Sequence, residues 1–135
     1  YDSPKAADMD GNPHVSLSFH WKSLYRQIRI EGEAGRMGKD ESKDYWDTRP
    51  HGSRLAAIVS TQSAEVDTWE EMGDRVTELG KQFPEGSDIP LPDSWGGYRV
   101  KPSRFEFWLS RPSRLHDRFQ YNPVGRGWSI TRLQP

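Results

Sequence analysis

The sequence predicts a mainly β fold of the α+β kind, in which antiparallel strands carry helices inserted between them. Apolar residues alternate with polar ones at a two-residue period near both ends of the chain, and recur at spacings of three and four in its middle. A connector rich in turn formers, with Pro84, Gly86, Pro90 and Pro92, separates the helical middle from the second group of strands.

Tyr1 to Pro13 is polar and turn-rich, opening on Ser3-Pro4-Lys5 and closing on Gly11-Asn12-Pro13, and is read as the irregular lead-in of a chain entered midway. From His14, the residues Val15, Leu17, Phe19 and Trp21 alternate with Ser16, Ser18 and His20, as in a half-buried strand. Ile28 and Ile30 alternate with Gln27, Arg29 and Glu31 in a second strand over Tyr25 to Gly32, and the short link Lys22 to Leu24 suits an antiparallel hairpin. Asp40 is the expected N-cap of a helix through Thr48, which Pro50 ends. Gly52 to Ser60, carrying Leu55, Ala56, Ile58 and Val59, is predicted as a further helix. The strongest helical pattern runs from Thr68 to Phe83: Val66, Trp69, Met72, Val76, Leu79 and Phe83 recur on one face, with Asp67 and Glu70 as a capping-box-like start. Beyond the connector, Tyr98 with Val100, Phe105 with Phe107 and Leu109, Phe119 with Tyr121, and Trp128 with Ile130 mark strands. Gly125 and Gly127 turn the last hairpin.

Composition narrows the function. The 135 residues suffice for one domain and not for two independent cores. Only 33% of them are hydrophobic, yet six Trp, five Tyr and five Phe supply bulky groups, so the chain is expected to fold and to complete its core with a cofactor or a second subunit. With 19 Lys and Arg against 20 Asp and Glu there is no global field for nucleic acid or an anionic membrane, and any anion site must be local. The absence of Cys excludes disulfides, thiolate zinc sites and cysteine nucleophiles, and points towards the cytosol. No apolar run approaches the length of a membrane span and no secretory pattern opens the sequence, so a soluble protein is expected.

Tyr45, Arg49 and Ser53 lie four residues apart, a spacing that puts them on one face if helix continues through them, although Pro50 biases Arg49 towards extended angles. A phenol, a guanidinium and a hydroxyl together offer several donors to a phosphate. A Tyr packed on an Arg stem beside a Ser N-cap gives the same spacing and is the commoner outcome. Arg114, His116 and Arg118 alternate, which on an extended segment places three potential cations on one face with room for an anion; a solvated charged face near Asp117 accounts for them equally well. His116 also suits proton transfer near neutral pH. Gln62 and Ser63 could bond a flat heterocycle or merely turn the chain, and Trp108, pointing opposite to Phe107 and Leu109, could stack on a ligand or pack under a helix. The His residues at 14, 20, 51 and 116 form no HExxH motif or acidic metal cluster, so no metal site is expected. Trp95-Gly96-Gly97 has neither GxGxxG nor a GK[ST] ending and is read as a close backbone approach, and GxSxG is absent.

Arg26-Gln27-Ile28-Arg29-Ile30-Glu31-Gly32, Tyr45 with Arg49-Pro50 and Ser53, Gln62-Ser63, Ser94-Trp95-Gly96-Gly97-Tyr98, Glu106-Phe107-Trp108, Arg114-Leu115-His116-Asp117-Arg118 and the closing Arg132-Leu133-Gln134-Pro135 follow one another in this order. In that order they resemble the pyridoxine/pyridoxamine 5′-phosphate oxidase family over essentially the whole chain, the Arg114 to Arg118 run being the most specific element. The resemblance implies an antiparallel FMN-binding split β-barrel (roll) with inserted helices, working in the cytoplasm as a homodimer with FMN at the subunit interface. Residues 1–92 would be the FMN-binding split-barrel portion, and 93–135 the C-terminal strands of the same domain, for dimerisation and substrate binding. Lys5, Gln27, Gln62, Ser63, Trp108 and Arg118 would contact FMN, and Tyr45, Arg49 and Ser53 would hold the substrate phosphate. Arg114 and His116 would be the catalytic pair, flanking the pyridine ring. The implied reaction is oxidation of pyridoxine 5′-phosphate or pyridoxamine 5′-phosphate by oxygen to pyridoxal 5′-phosphate and hydrogen peroxide, a step of vitamin B6 metabolism.

Some positions depart from the family pattern. Pro4 stands where a basic residue usually precedes the Lys, and Leu109-Ser110 stands where Gln-Gly is usual after the Trp. The family's earlier segment, which supplies an Arg and a Lys for flavin phosphate and substrate, is not among these residues, so the resemblance implies a fragment or a chain whose start lies upstream. Two alternatives remain: a flavin oxidase of phenazine biosynthesis, and a non-catalytic FMN or pyridoxal-phosphate binding module. Tyr45, Arg49 and Ser53 favour the phosphate ester, since a phenazine has no phosphate to hold.

Overall fold

Pro4–Gly11 is a helix, α1, in the computed structural model, which describes residues 1–135. This corrects the irregular lead-in read from the sequence. Proline suits a first helical turn because its missing N–H needs no partner there, and the Ser3 carbonyl accepts from the Ala6 and Ala7 N–H groups at 2.9 and 3.1 Å. Ala6 is buried and anchors the inner face.

The chain divides into two compact units, the first made of Tyr1–Gly11 and Arg36–Tyr98, the second of Asn12–Gly35 and Arg99–Pro135. The first unit is helical, adding α2 (Lys39–Thr48), α3 (His51–Val59) and α4 (Trp69–Gln82). Gly38, not Asp40, occupies the N-cap of α2; Asp40 sits in the first turn, where its charge meets the positive end of the helix dipole. Arg49 ends α2 at φ −75° and ψ 143°, the extended angles that a following proline imposes. The start of α4 also lies one residue later than expected. Thr68 is the N-cap and its hydroxyl accepts from the Glu71 N–H at 3.2 Å, because the Thr68-Trp69-Glu70-Glu71 stretch, not Asp67 to Glu70, has the capping spacing in phase with the helix.

Trp46, Leu55 and Ile89 form the buried centre of this unit, with Val76, Leu79 and Phe83 of the α4 stripe packed against it. The indole N–H of Trp46 donates to the Ile89 carbonyl at 2.8 Å, so the largest buried side chain has its polar atom satisfied. Trp69, at the other end of the stripe, is 82% exposed. The two glycines after Trp95 do mark a close approach: a Cβ on Gly96 would collide with the Tyr1 ring, and one on Gly97 would lie 2.7 Å from Met37 Sδ.

The second unit is one sheet of order β1-β2-β3-β4-β5, with β1 His14–Trp21, β2 Arg26–Arg36, β3 Tyr98–Leu109, β4 Asp117–Val124 and β5 Gly127–Leu133. The first hairpin runs in register from His14↔Glu33 to Trp21↔Arg26, turned by a 3₁₀ segment Lys22–Leu24 and by Tyr25 at φ 51°. Gly125, at φ 59°, turns the last. Tyr98 with Val100 and Phe105 with Phe107 and Leu109 belong to one long strand, β3, which runs through Pro102. Gly32 makes room for it, since a Cβ there would strike the Lys101 carbonyl.

Alternation gives the sheet two unlike faces. Leu17, Phe19, Trp21, Phe107, Trp128 and Ile130 belong to the apolar one, and all are exposed, Phe19 by 45%. The half burial expected for β1 is therefore not met within this unit, because a single sheet has no second layer to lay on that face. Its buried residues are Gly32 and Glu106.

Candidate functional site

In the first unit the break at Pro50 turns Arg49 out of α2 and against aromatic rings. Its guanidinium carbon lies 5.0 Å from the Trp95 ring centre and 5.6 Å from that of Trp46. One nitrogen, Nη1, is buried with no hydrogen-bond partner. A buried guanidinium N–H without an acceptor is costly, so the arrangement favours an anion beside it. Arg49, Ser53, Lys5 and Gln62 all line one cavity of about 880 Å³ with Trp95 and Trp69. Lys5 Nζ meanwhile donates to Ser3 Oγ at 3.0 Å.

Tyr45 does not join Arg49 and Ser53 on one continuous helical face, since α2 stops between them. It is 62% exposed, and its ring stacks on Trp95 with centres 6.1 Å apart. Ser63 stands just beyond Gln62 in a turn at φ 68° and is exposed.

In the second unit Gln27 and Trp108 line another cavity, of about 480 Å³, with Trp21, Phe107 and Phe119 among its walls. The Trp108 ring faces His116 at a centroid distance of 4.7 Å, and Trp108 is the cross-strand partner of Arg118. Arg114, His116 and Arg118 do not share one strand face. Pro112–Arg114 is a 3₁₀ turn with Ser113 and Arg114 at φ 56° and 61°, and β4 begins only at Asp117. Proline at the turn's start and two left-handed residues break the alternation that the sequence suggested. The turn places His116 instead: its Nδ1 accepts the Arg111 N–H at 3.2 Å, which leaves Nε2 as the protonated nitrogen of the neutral ring. Arg111 is held by Asp117 at 2.7 Å.

Arg118 is fixed from two sides, donating from Nε to Glu106 at 2.8 Å and from Nη1 to the Gln134 carbonyl at 2.9 Å. The hydrogen bond from Arg118 holds the Glu106 carboxyl below the usual carboxylate range against the opposing pull of burial, helped by the charges of Arg118, Arg29 and Arg104. The same bond raises Arg118 further above its ordinary value. Glu106 was not singled out from the sequence; the available signal was its two-residue spacing from Trp108 on a strand whose partner carries Arg118.

No group of His, Cys, Asp and Glu is placed to hold a metal ion, and no helix is long and apolar enough to cross a membrane.

Comparison with known proteins adds the following. The family profile described as pyridoxamine 5′-phosphate oxidase matches residues 1–81, and that of the pyridoxine 5′-phosphate oxidase C-terminal dimerisation region matches residues 95–135. The chain is 48% identical over 135 residues to the pyridoxine/pyridoxamine 5′-phosphate oxidase of Rubrobacter xylanophilus, covering all of this chain and 62% of that protein. It is 49% identical over 136 residues to the Bordetella pertussis protein of the same name, covering 63% of it. Thus it spans less than two thirds of the length of these curated relatives. Among solved structures, PhzG from Burkholderia lata in complex with tetrahydrophenazine-1-carboxylic acid matches 99% of this chain and 65% of its own, with TM-score 0.88 and 30% identity. A pyridoxamine 5′-phosphate oxidase-related, FMN-binding protein of Nostoc punctiforme matches with TM-score 0.68 at 13% identity, a likeness of fold alone. The fold is therefore of the antiparallel split-barrel kind with inserted helices, as the sequence implied.

Proposed function

We infer function from membership: the chain belongs to the pyridoxamine 5′-phosphate oxidase family, and its proposed activity is oxidation of pyridoxine 5′-phosphate or pyridoxamine 5′-phosphate to pyridoxal 5′-phosphate with FMN as cofactor and oxygen as final acceptor. The observation that carries the phosphate ester is Arg49, whose buried Nη1 lacks a partner on the wall of a cavity it shares with Ser53. A tricyclic phenazine acid offers no phosphate to that pair, which is why the phosphate ester is preferred over the substrate class named with PhzG.

The residues present suit the cofactor. Lys5 and Gln62 line the cavity of the first unit and Gln27 and Trp108 that of the second. With Ser63 and Arg118 they offer amide, hydroxyl and cationic donors and an aromatic ring, groups that a flat, phosphorylated heterocycle takes. When bound, FMN supplies the hydride acceptor and the reaction with oxygen. The protein's part is to fix and orient. Arg49 and Ser53 anchor the phosphate, and Tyr45, stacked on Trp95, is the third proposed contact. Arg114 and His116 flank the pyridine, and His116 presents Nε2–H as a donor because Nδ1 is engaged by the backbone. Residues 1–92 serve as the cofactor-binding portion and 93–135 as the dimerisation and substrate-binding strands, in a cytoplasmic homodimer; the match of residues 95–135 to a dimerisation region supports that assembly.

The test is oxygen uptake by the purified, FMN-supplemented protein with pyridoxine 5′-phosphate and with unphosphorylated pyridoxine. Turnover of the ester is expected, with KM raised on the order of 10- to 100-fold by Arg49→Ala, the loss of one charge-assisted hydrogen bond. Equal use of both substrates, unaffected by Arg49→Ala, would remove the phosphate role.

A further inference from the structure

The stretch Arg26 to Gly32 and the Glu106-Phe107-Trp108 triplet each contributed one residue to the proposed site, leaving Arg29, Glu31 and Glu106 without a part in it. The sheet gives them one. Arg104, Glu106 and Trp108 share a face of β3, and Gln27, Arg29 and Glu31 share a face of β2, its neighbour in the sheet. On that face an alternating ladder of charge runs Arg104, Glu31, Arg29, Glu106, Arg118: Arg104 pairs closely with Glu31, Arg29 lies 3.4 Å from Glu31 and 3.8 Å from Glu106, and Arg118 lies 2.8 Å from Glu106. Glu106 is the most buried member, 8% exposed, in a unit that leaves Phe19, Trp21, Phe107, Trp128 and Ile130 exposed. A carboxylate in the most sheltered place of a sheet is kept there by its cations, and in return it fixes their direction.

We propose that Glu106 is a positioning residue for the cofactor: it locks the Arg118 guanidinium through Nε so that the N–H groups not engaged by Glu106 and the Gln134 carbonyl are turned outward, beside Trp108, to meet FMN. The inference rests on the FMN reading above. With Nε and Nη1 already held, Arg118 has little rotamer freedom left to lose when a ligand arrives, and this is the advantage that Glu106 confers. Arg29, itself paired with Glu31, stands on the other side of Glu106, 3.8 Å from its second oxygen.

Titration of FMN into the purified protein, followed by flavin fluorescence, compares wild type, Glu106→Gln, Arg118→Gln and the double variant, each checked for fold by circular dichroism. Glu106→Gln is expected to weaken FMN binding about tenfold, and to add nothing once Arg118 is Gln, since it acts only through that residue. Glu106→Asp, which keeps the charge, should recover part of the loss; it also carries the test if Glu106→Gln does not fold, a normal affinity then counting against the proposal. Wild-type affinity in Glu106→Gln, or full additivity in the double variant, overturns it while leaving the FMN reading standing. A folded wild type that binds no FMN overturns both.

Discussion

The two units solve the problem of burial in opposite ways. The helical unit closes on Trp46, Leu55 and Ile89, an apolar centre with its one indole N–H satisfied. The sheet unit buries a carboxylate and leaves Phe19, Trp21, Trp128 and Ile130 in the open. A helical bundle of this size can pay its folding entropy from inside, whereas a lone sheet needs something laid on its apolar face. The contrast separates stability from proposed function: residues that only pack gather in the first core, and the residues proposed to bind gather on the polar face of the second unit and on the cavity wall of the first.

The largest expected effect is on the closed core. Trp46→Ala removes a fully buried ring and its hydrogen bond to Ile89, and should lower unfolding free energy by about 3–5 kcal/mol, read as a shift of the urea midpoint. Phe19 sharpens the comparison. Left 45% exposed, as it is here, it should lose under about 1.5 kcal/mol on change to Ala, a fraction of the value for full burial. In the assembled protein a covering layer is expected, and Phe19→Ala should then lower stability by about 2–3 kcal/mol. A midpoint that rises with protein concentration would identify that layer as a second copy. A small, concentration-independent loss would show that the face is bare, and would break the account given of the sheet unit.

What was legible in the sequence follows the same division. Period marks α4 and the strands of the sheet, because both patterns record which side of an element is apolar, while α2 is legible from its helix-compatible residues and the stop at Pro50. Period fails where local chemistry decides. Pro4 and Gly11 read as turn residues but bracket a helix, since α1 buries little beyond Ala6 and shows no stripe. Arg114 and His116 alternate like strand residues, but Pro112 starts a tight turn that alternation cannot see. The proposed phosphate-binding cluster is half legible: Pro50 foretells that Arg49 leaves the helix, yet the unpartnered Nη1 depends on packing against Trp95, far away in sequence, as well as Trp46. Glu106 was hidden because a charged residue between two Phe reads as solvent-facing, and only the sheet order brings Arg29 and Arg118 to it.

A smaller effect probes the helical unit at its edge. Thr68→Ala leaves the Glu71 N–H without its acceptor and should cost about 1 kcal/mol, with Ser in its place restoring most of it. If Thr68→Ala is neutral while Asp67→Ala is not, the helix starts where the sequence first suggested.

The smallest effect near neutral pH, and the one that best separates the two units, concerns their charges. Lys39 and Asp93 pair at 2.7 Å on the surface of the helical unit with side chains 72% and 91% exposed, so water and salt screen them and Asp93→Asn should leave the melting temperature unchanged. Glu106 differs by being sheltered and shared among arginines. Because its folded value is depressed, the stabilisation it provides is complete above its unfolded value of about 4.3 and is lost as the pH falls through the lower folded value. The gap in melting temperature between wild type and Glu106→Gln should therefore be flat from pH 8 to about pH 5 and close in stronger acid. A gap that persists there would mean that the shape of the side chain, not its charge, ties β3 to β4, and would leave Arg118 without the electrostatic lock assigned to it.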